Sequence, residues 1–123
     1  MSKQDLSVLL VDDDPYSQGV FELVMKHHNL AFTVLDDAET ALDYLKANSP
    51  DIILMDIFLP GLDGYQALDR IRRMAPVPSC RVIATTAYYT RDTQQEVLKR
   101  GFDGYVSKPF DKNLVNYLQT ILN

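Results

Sequence analysis

Asp12, Asp13, Asp56, Thr85, Thr86 and Lys108 share one placement: each stands at or just past the end of a short apolar run, in VLLVDD, IILMD, VIATT and YVSK. A carboxylate at the end of a buried run is costly unless a charge or several donors compensate it. Three carboxylates brought together repel, and a hard divalent cation with oxygen ligands, Mg²⁺ above all, relieves that repulsion. Lys108 adds a fixed positive charge, and Thr86 offers a hydroxyl donor. Carboxylate, Mg²⁺, ammonium and hydroxyl together suit phosphoryl transfer to a carboxylate nucleophile. The cation and Lys108 would neutralise the charge that gathers on the equatorial oxygens in the transition state. Charge and position alone do not say which of the three acids is the nucleophile.

Such a cluster forms only if the four runs are neighbouring strands that end on one edge. Residues 6–11 read as a strand buried on both faces. Asp14-Pro15 pairs an N-cap with a proline at the first helical position, predicting a helix to about residue 28 with Val20, Phe21, Val24 and Met25 on one face. Asn29 suits the left-handed turn that ends it. Residues 31–35 read as a less apolar strand, nearer an edge. Asp37 caps a helix in which Ala38, Ala41, Leu42 and Leu45 follow helical spacing, stopped by Asn48-Ser49-Pro50. Residues 52–55 form a third strand, and Pro60-Gly61 and Asp63-Gly64 turn the chain into a helix over 65–74. Residues 81–85 form a fourth strand. Residues 90–100 look helical, but only Val97 and Leu98 are strongly apolar, so this helix should be weakly anchored. Residues 105–106 form a short fifth strand. Asp111 caps a last helix with Leu114, Val115, Leu118, Ile121 and Leu122 on one face. Five strand–helix alternations with short connections predict an α/β, three-layer, doubly wound parallel sheet as one domain over 1–123. Parallel strands put all the polar ends on one edge, where open α/β sheets bind ligands.

Composition narrows the function classes. The chain has 123 residues, 46% hydrophobic and 24% charged, with a net charge of −5. That balance argues for an ordered globular chain and against nucleic-acid binding through phosphate contacts. Cys80 is the one cysteine and reads as a small buried hydrophobe. No apolar run approaches the roughly 20 residues that span a bilayer, and no signal peptide is visible, so a cytoplasmic location is expected.

Four motifs carry a family resemblance: VDDD at 11–14, LMDIFLPGLDG at 54–64, ATTA at 84–87 and GYVSKPF at 104–110. In that order, each at a strand end, they resemble the receiver domain of response regulators, including the chemotaxis-regulator type, over essentially the whole chain. The resemblance implies a flavodoxin-like sheet of strand order 2-1-3-4-5. It implies that Asp56 accepts a phosphoryl group from a phosphohistidine on a sensor histidine kinase or histidine phosphotransfer protein. Asp12 and Asp13 would hold Mg²⁺ with the Asp56 side chain and the Phe58 backbone carbonyl. Lys108 would pair with the phosphoryl group, and its bond to Pro109 would be cis. Thr86 would move to the phosphoryl oxygens, Ala87 would leave room, and Tyr105 would be the switch aromatic. The helix after Thr90, the fifth strand and the last helix would form the output face toward an unidentified output protein or domain. Such a regulator, monomeric or dimerising on phosphorylation, catalyses only its own phosphorylation and dephosphorylation. The choice of Asp56 as nucleophile rests on the resemblance.

Plainer readings stand beside these. Asp14 is a helix cap rather than a ligand, and Asp63-Gly64 is a turn and helix start. Asp12 and Asp13 alone would also pass as caps; the other motifs favour metal. Thr86 is preferred to Thr85 because Ala87 follows it, and strand alternation sends Thr85 the other way. His27 and His28 fall at a helix end, where compensating the dipole is an ordinary role. Phe102 puts a large ring where the family commonly has alanine. Phe58 and Tyr88 flank the expected path of attacking water and would slow hydrolysis of an acyl phosphate. Two other classes compete: a degenerate receiver serving only as an interaction module, and a metal-dependent phosphatase. The second would need a further catalytic carboxylate near Asp56, where Ile57 and Phe58 stand.

Overall fold

A computed structural model describes residues 6–88 and 90–122. The elements run β1 (Ser7–Val11), α1 (Pro15–His27), β2 (Ala31–Leu35), α2 (Ala38–Leu45), β3 (Ile52–Asp56), α3 (Gly64–Arg72), β4 (Arg81–Thr86), α4 (Arg91–Lys99), β5 (Gly104–Ser107) and α5 (Leu114–Leu122). All neighbouring strands pair in parallel, in the order β2-β1-β3-β4-β5. The expected sheet and order are present, with β2 at an edge and only partly buried.

Side-chain alternation divides the core in two. Val8, Leu10, Ile52, Leu54 and Ile83 face α1 and α5, where they meet Phe21, Met25, Leu114, Val115 and Leu118. Leu9, Val11, Ile53, Met55, Val82 and Ala84 face the other layer and meet residues of α2, α3 and α4. Strands buried on both faces explain why the sequence shows unbroken apolar runs rather than alternation.

The helix ends follow the local chemistry of the sequence. Asp14 accepts the Tyr16 and Ser17 N–H groups, and Asp37 accepts that of Thr40. Asp63 and Gln66 form a reciprocal capping box at the start of α3. Asn29 adopts φ 56°, closing α1 as expected. His28 is the C-cap residue, its Nδ1 3.1 Å from the Val24 carbonyl oxygen. Cys80 is buried, and burial pushes its thiol pKa up, as suits a small core residue. Arg72, in the last turn of α3, pairs with Asp103 at 3.1 Å. Asp103 also accepts the Val82 N–H, which ties the loop before β5 to the start of β4.

Candidate functional site

Strand register brings the polar ends together. Val11 lies opposite Met55, Met55 opposite Ala84, and Ala84 opposite Tyr105. Asp12 and Asp56 therefore leave neighbouring strands at the same level. Carboxylate oxygens of Asp12, Asp13 and Asp56 all lie within 4.8 Å of one another. Asp12 and Asp56 are buried, whereas Asp13 is exposed.

The two buried carboxylates are held alike. Asp12 Oδ1 accepts the Asp14 N–H at 2.9 Å, and Asp56 Oδ1 accepts the Phe58 N–H at 2.9 Å. The second oxygen of each accepts from Lys108 Nζ, at 2.9 Å for Asp12 and 3.1 Å for Asp56. The Lys108 side chain is only 10% exposed. The Lys108–Pro109 bond is cis. The Lys108 N–H donates to the Thr86 carbonyl at 2.8 Å, and the Ile57 N–H to the Thr85 carbonyl at 3.1 Å. These bonds lace the ends of β3, β4 and β5 together.

Electrostatics favour one further cation. Burial alone would lower the Lys108 pKa. The bond to Asp12 and the charges of Asp56 and Asp12 outweigh it, so the ammonium stays charged. Burial raises the Asp12 pKa, although the Asp14 N–H and Lys108 pull it down. A buried ion cluster is a weak stabiliser, because desolvation costs several kcal/mol per ion. Here three carboxylates face one ammonium, leaving an excess of negative charge. Hard oxygen donors with excess negative charge fit Mg²⁺. Asp12, Asp13 and Asp56 can hold it.

Thr85 and Thr86 are both fully buried and take opposite faces of β4. Thr86 Oγ1 accepts the Tyr88 N–H at 3.0 Å, which leaves its own hydrogen to be donated. The Phe58 and Tyr88 rings meet edge to face at 5.7 Å. They are 61% and 72% exposed, so the pair stands on the surface rather than in the core. Tyr105 does not join the carboxylates. It is half-buried against the core on the α2–α3–α4 side, with its hydroxyl oxygen enclosed. Phe102 is buried, edge to face with Tyr65 at 5.9 Å, and the Arg100 guanidinium lies 4.3 Å from the Tyr65 ring centre.

Two contributors escaped the sequence reading. Gly64, read as a turn residue, lies directly on the backbone of Asp56 and Ile57. A Cβ there would sit 2.6 Å from Ile57 Cα and 2.7 Å from the Asp56 carbonyl oxygen. Only glycine lets α3 start so close to the end of β3. The second is Gln18, whose side chain touches the Asp12 backbone; no local pattern flags it.

Fold and site together define a receiver-type α/β domain with an acid cluster at the carboxyl edge of its sheet. A family model described as the response regulator receiver domain matches residues 8–119. The chain belongs to that family, the signalling phosphoacceptors of two-component response regulators. Among its relatives, the chemotaxis protein CheY of Halobacterium salinarum is 31% identical over 115 residues, covering 91% of this chain and 89% of that protein. The transcriptional regulatory protein CseB of Streptomyces coelicolor is 38% identical over 104 residues, covering 85% of this chain. That match takes up 43% of CseB, so the chain spans less than half of that relative. The fold matches the chemotaxis response regulator CheY4 of Vibrio cholerae with a TM-score of 0.84 at 20% identity, over 95% of this chain and 98% of that one. A two-component response regulator of Clostridium difficile gives the same TM-score at 22% identity, over 96% of each chain. No helix among the described residues is long and apolar enough to cross a membrane.

Proposed function

We propose that residues 1–123 act as one phospho-accepting receiver that takes its phosphoryl group onto Asp56. The donor is a phosphohistidine on a sensor histidine kinase or a histidine phosphotransfer protein. An Asp56 carboxylate oxygen attacks phosphorus, the P–N bond to the donor imidazole breaks, and its electron pair leaves with the imidazole nitrogen. Asp12, Asp13, Asp56 and the Phe58 carbonyl hold Mg²⁺, which when bound supplies charge neutralisation for the transferring group. Lys108 keeps the second positive charge at the site. Thr86 donates its hydroxyl hydrogen to a phosphoryl oxygen. Tyr105 follows Thr86, and α4, β5 and α5 present the altered surface to an output partner in the cytoplasm. The exposed Phe58–Tyr88 pair shields the acyl phosphate from water.

The observation that carries this reading is the shared lysine: Lys108 Nζ bridges Asp12 and Asp56, whose oxygens lie beside those of Asp13. An interaction module that never meets phosphate has no use for so costly an arrangement. Incubation with acetyl phosphate and Mg²⁺, followed by intact-protein mass, tests it. A single phosphoryl adduct on the wild type and none on Asp56→Asn is expected. Equal modification of both would move the nucleophile elsewhere, and an unmodified wild type would favour the interaction module. Phe58→Asn with Tyr88→Glu should hasten loss of the adduct; an unchanged rate removes the shielding role.

A further inference from the structure

We propose that Gln18 is a positioning residue for the divalent-cation site, fixing the Asp12–Asp13 peptide so that Asp13 faces its partners. This rests on the cation-site reading above and names a chain-specific support for it. Gln18 lies on α1, away from every motif that marks the family resemblance. Its Nε2 donates to the Asp12 carbonyl oxygen at 2.6 Å and to Asp36 Oδ1 at 2.7 Å. Both neighbours are acceptors, so only the amino end of the amide fits there. Both amide hydrogens are thereby spent on one bridge between the loop after β1 and the loop after β2.

The geometry explains why this matters for Asp13 above all. The other anchors in the segment act on Asp12: its N–H donates to the Leu35 carbonyl at 3.0 Å, and its carboxylate accepts from Asp14 and Lys108. Asp13 is exposed, and its backbone orientation follows from the plane of the peptide that joins it to Asp12. The carbonyl of that peptide is the atom Gln18 holds. The Asp14 N–H bond to Asp12 Oδ1 also spans this peptide, so releasing the carbonyl loosens the plane rather than freeing it, and Asp13 shifts with it. Groups that hold metal ligands in place commonly set affinity as strongly as 10- to 100-fold. Gln18 acts on the backbone of a partly exposed loop, which puts it at the low end, about tenfold.

Two substitutions test the assignment, read by Mg²⁺ titration calorimetry on the unphosphorylated protein and by melting with and without saturating Mg²⁺. Gln18→Met keeps the length and loses both donors. It should weaken Mg²⁺ binding about tenfold and shrink the Mg²⁺-induced rise in Tm. Gln18→Glu also loses the donors but adds a negative charge next to the Asp12 backbone. A simple charge effect would tighten binding, whereas a positioning role predicts weaker binding than wild type. A purely structural role would lower Tm equally with and without Mg²⁺ and leave the affinity alone. Wild-type affinity in Gln18→Met, or tighter binding in Gln18→Glu, overturns the proposal while the cation site stands. A wild type that binds no Mg²⁺ overturns both.

Discussion

Helices α3 and α4 are the same length, nine residues, and lie in the same layer, yet they are attached very differently. α3 buries Gly64, Ala67, Leu68 and Ile71, and its first residue rests on the peptide that follows Asp56. α4 buries Val97 alone and leaves Leu98 about half exposed. α3 thus behaves as part of the frame that holds the candidate nucleophile. α4 can shift at small cost, because little apolar surface is given up when it does. Arg100, its C-cap residue, lies over the Tyr65 ring of α3. Under the proposed function, α3 would be the stiff side and α4 the soft side of the layer that switches.

The comparison can be broken by mutation. Leu68→Ala should cost about 3 kcal/mol, read by urea unfolding, since a fully buried leucine leaves a cavity. Gly64→Ala should cost about 2–3 kcal/mol, because the atoms in its way are backbone and cannot swing aside. Losing well under 1 kcal/mol there would show that α3 is not pressed on the Asp56 peptide. Val97→Ala should cost only about 1.5 kcal/mol, from two methyl groups, and Thr90→Ala about 1 kcal/mol from a lost cap. Should the α4 substitutions prove as damaging as Leu68→Ala, the soft side is misassigned. Amide hydrogen exchange sharpens the same contrast: α4 should exchange through smaller openings than α3.

The smallest effect concerns the Tyr65 bridge. Burial raises the Tyr65 pKa above 10.0, helped by Glu96 and opposed by Arg100. The folded state thus favours the neutral phenol. Its contribution is complete below pH 10.0 and is lost as pH rises through the folded-state value. Tyr65→Phe should flatten that part of the fall in stability at alkaline pH, measured as the wild-type-minus-mutant difference.

Much of this was legible in the chain. The five apolar runs, the caps at Asp14 and Asp37 and the turn at Asn29 are local, and local chemistry decides them. Small differences lie at the ends: β3 takes in Asp56, β4 takes in Thr86, and α3 begins at Gly64. The thin stripe of α4 was visible as composition, and its single buried residue follows from it. Phe102 stood out as too large for its place. Only packing shows that Tyr65 provides the surface it needs.

By itself the sequence determined which acids, lysine and threonines end strands, because strand ends follow from where apolar runs stop. It also determined that those strands run parallel, because helices lie between them. Tertiary structure alone decided that Lys108 bridges Asp12 and Asp56, since residues 96 and 52 positions apart meet only through strand order and register. It likewise decided that Gly64 presses on Asp56 and that Gln18 reaches the Asp12 carbonyl. Those contacts depend on distances between elements, and no run of neighbouring residues encodes a distance across a sheet.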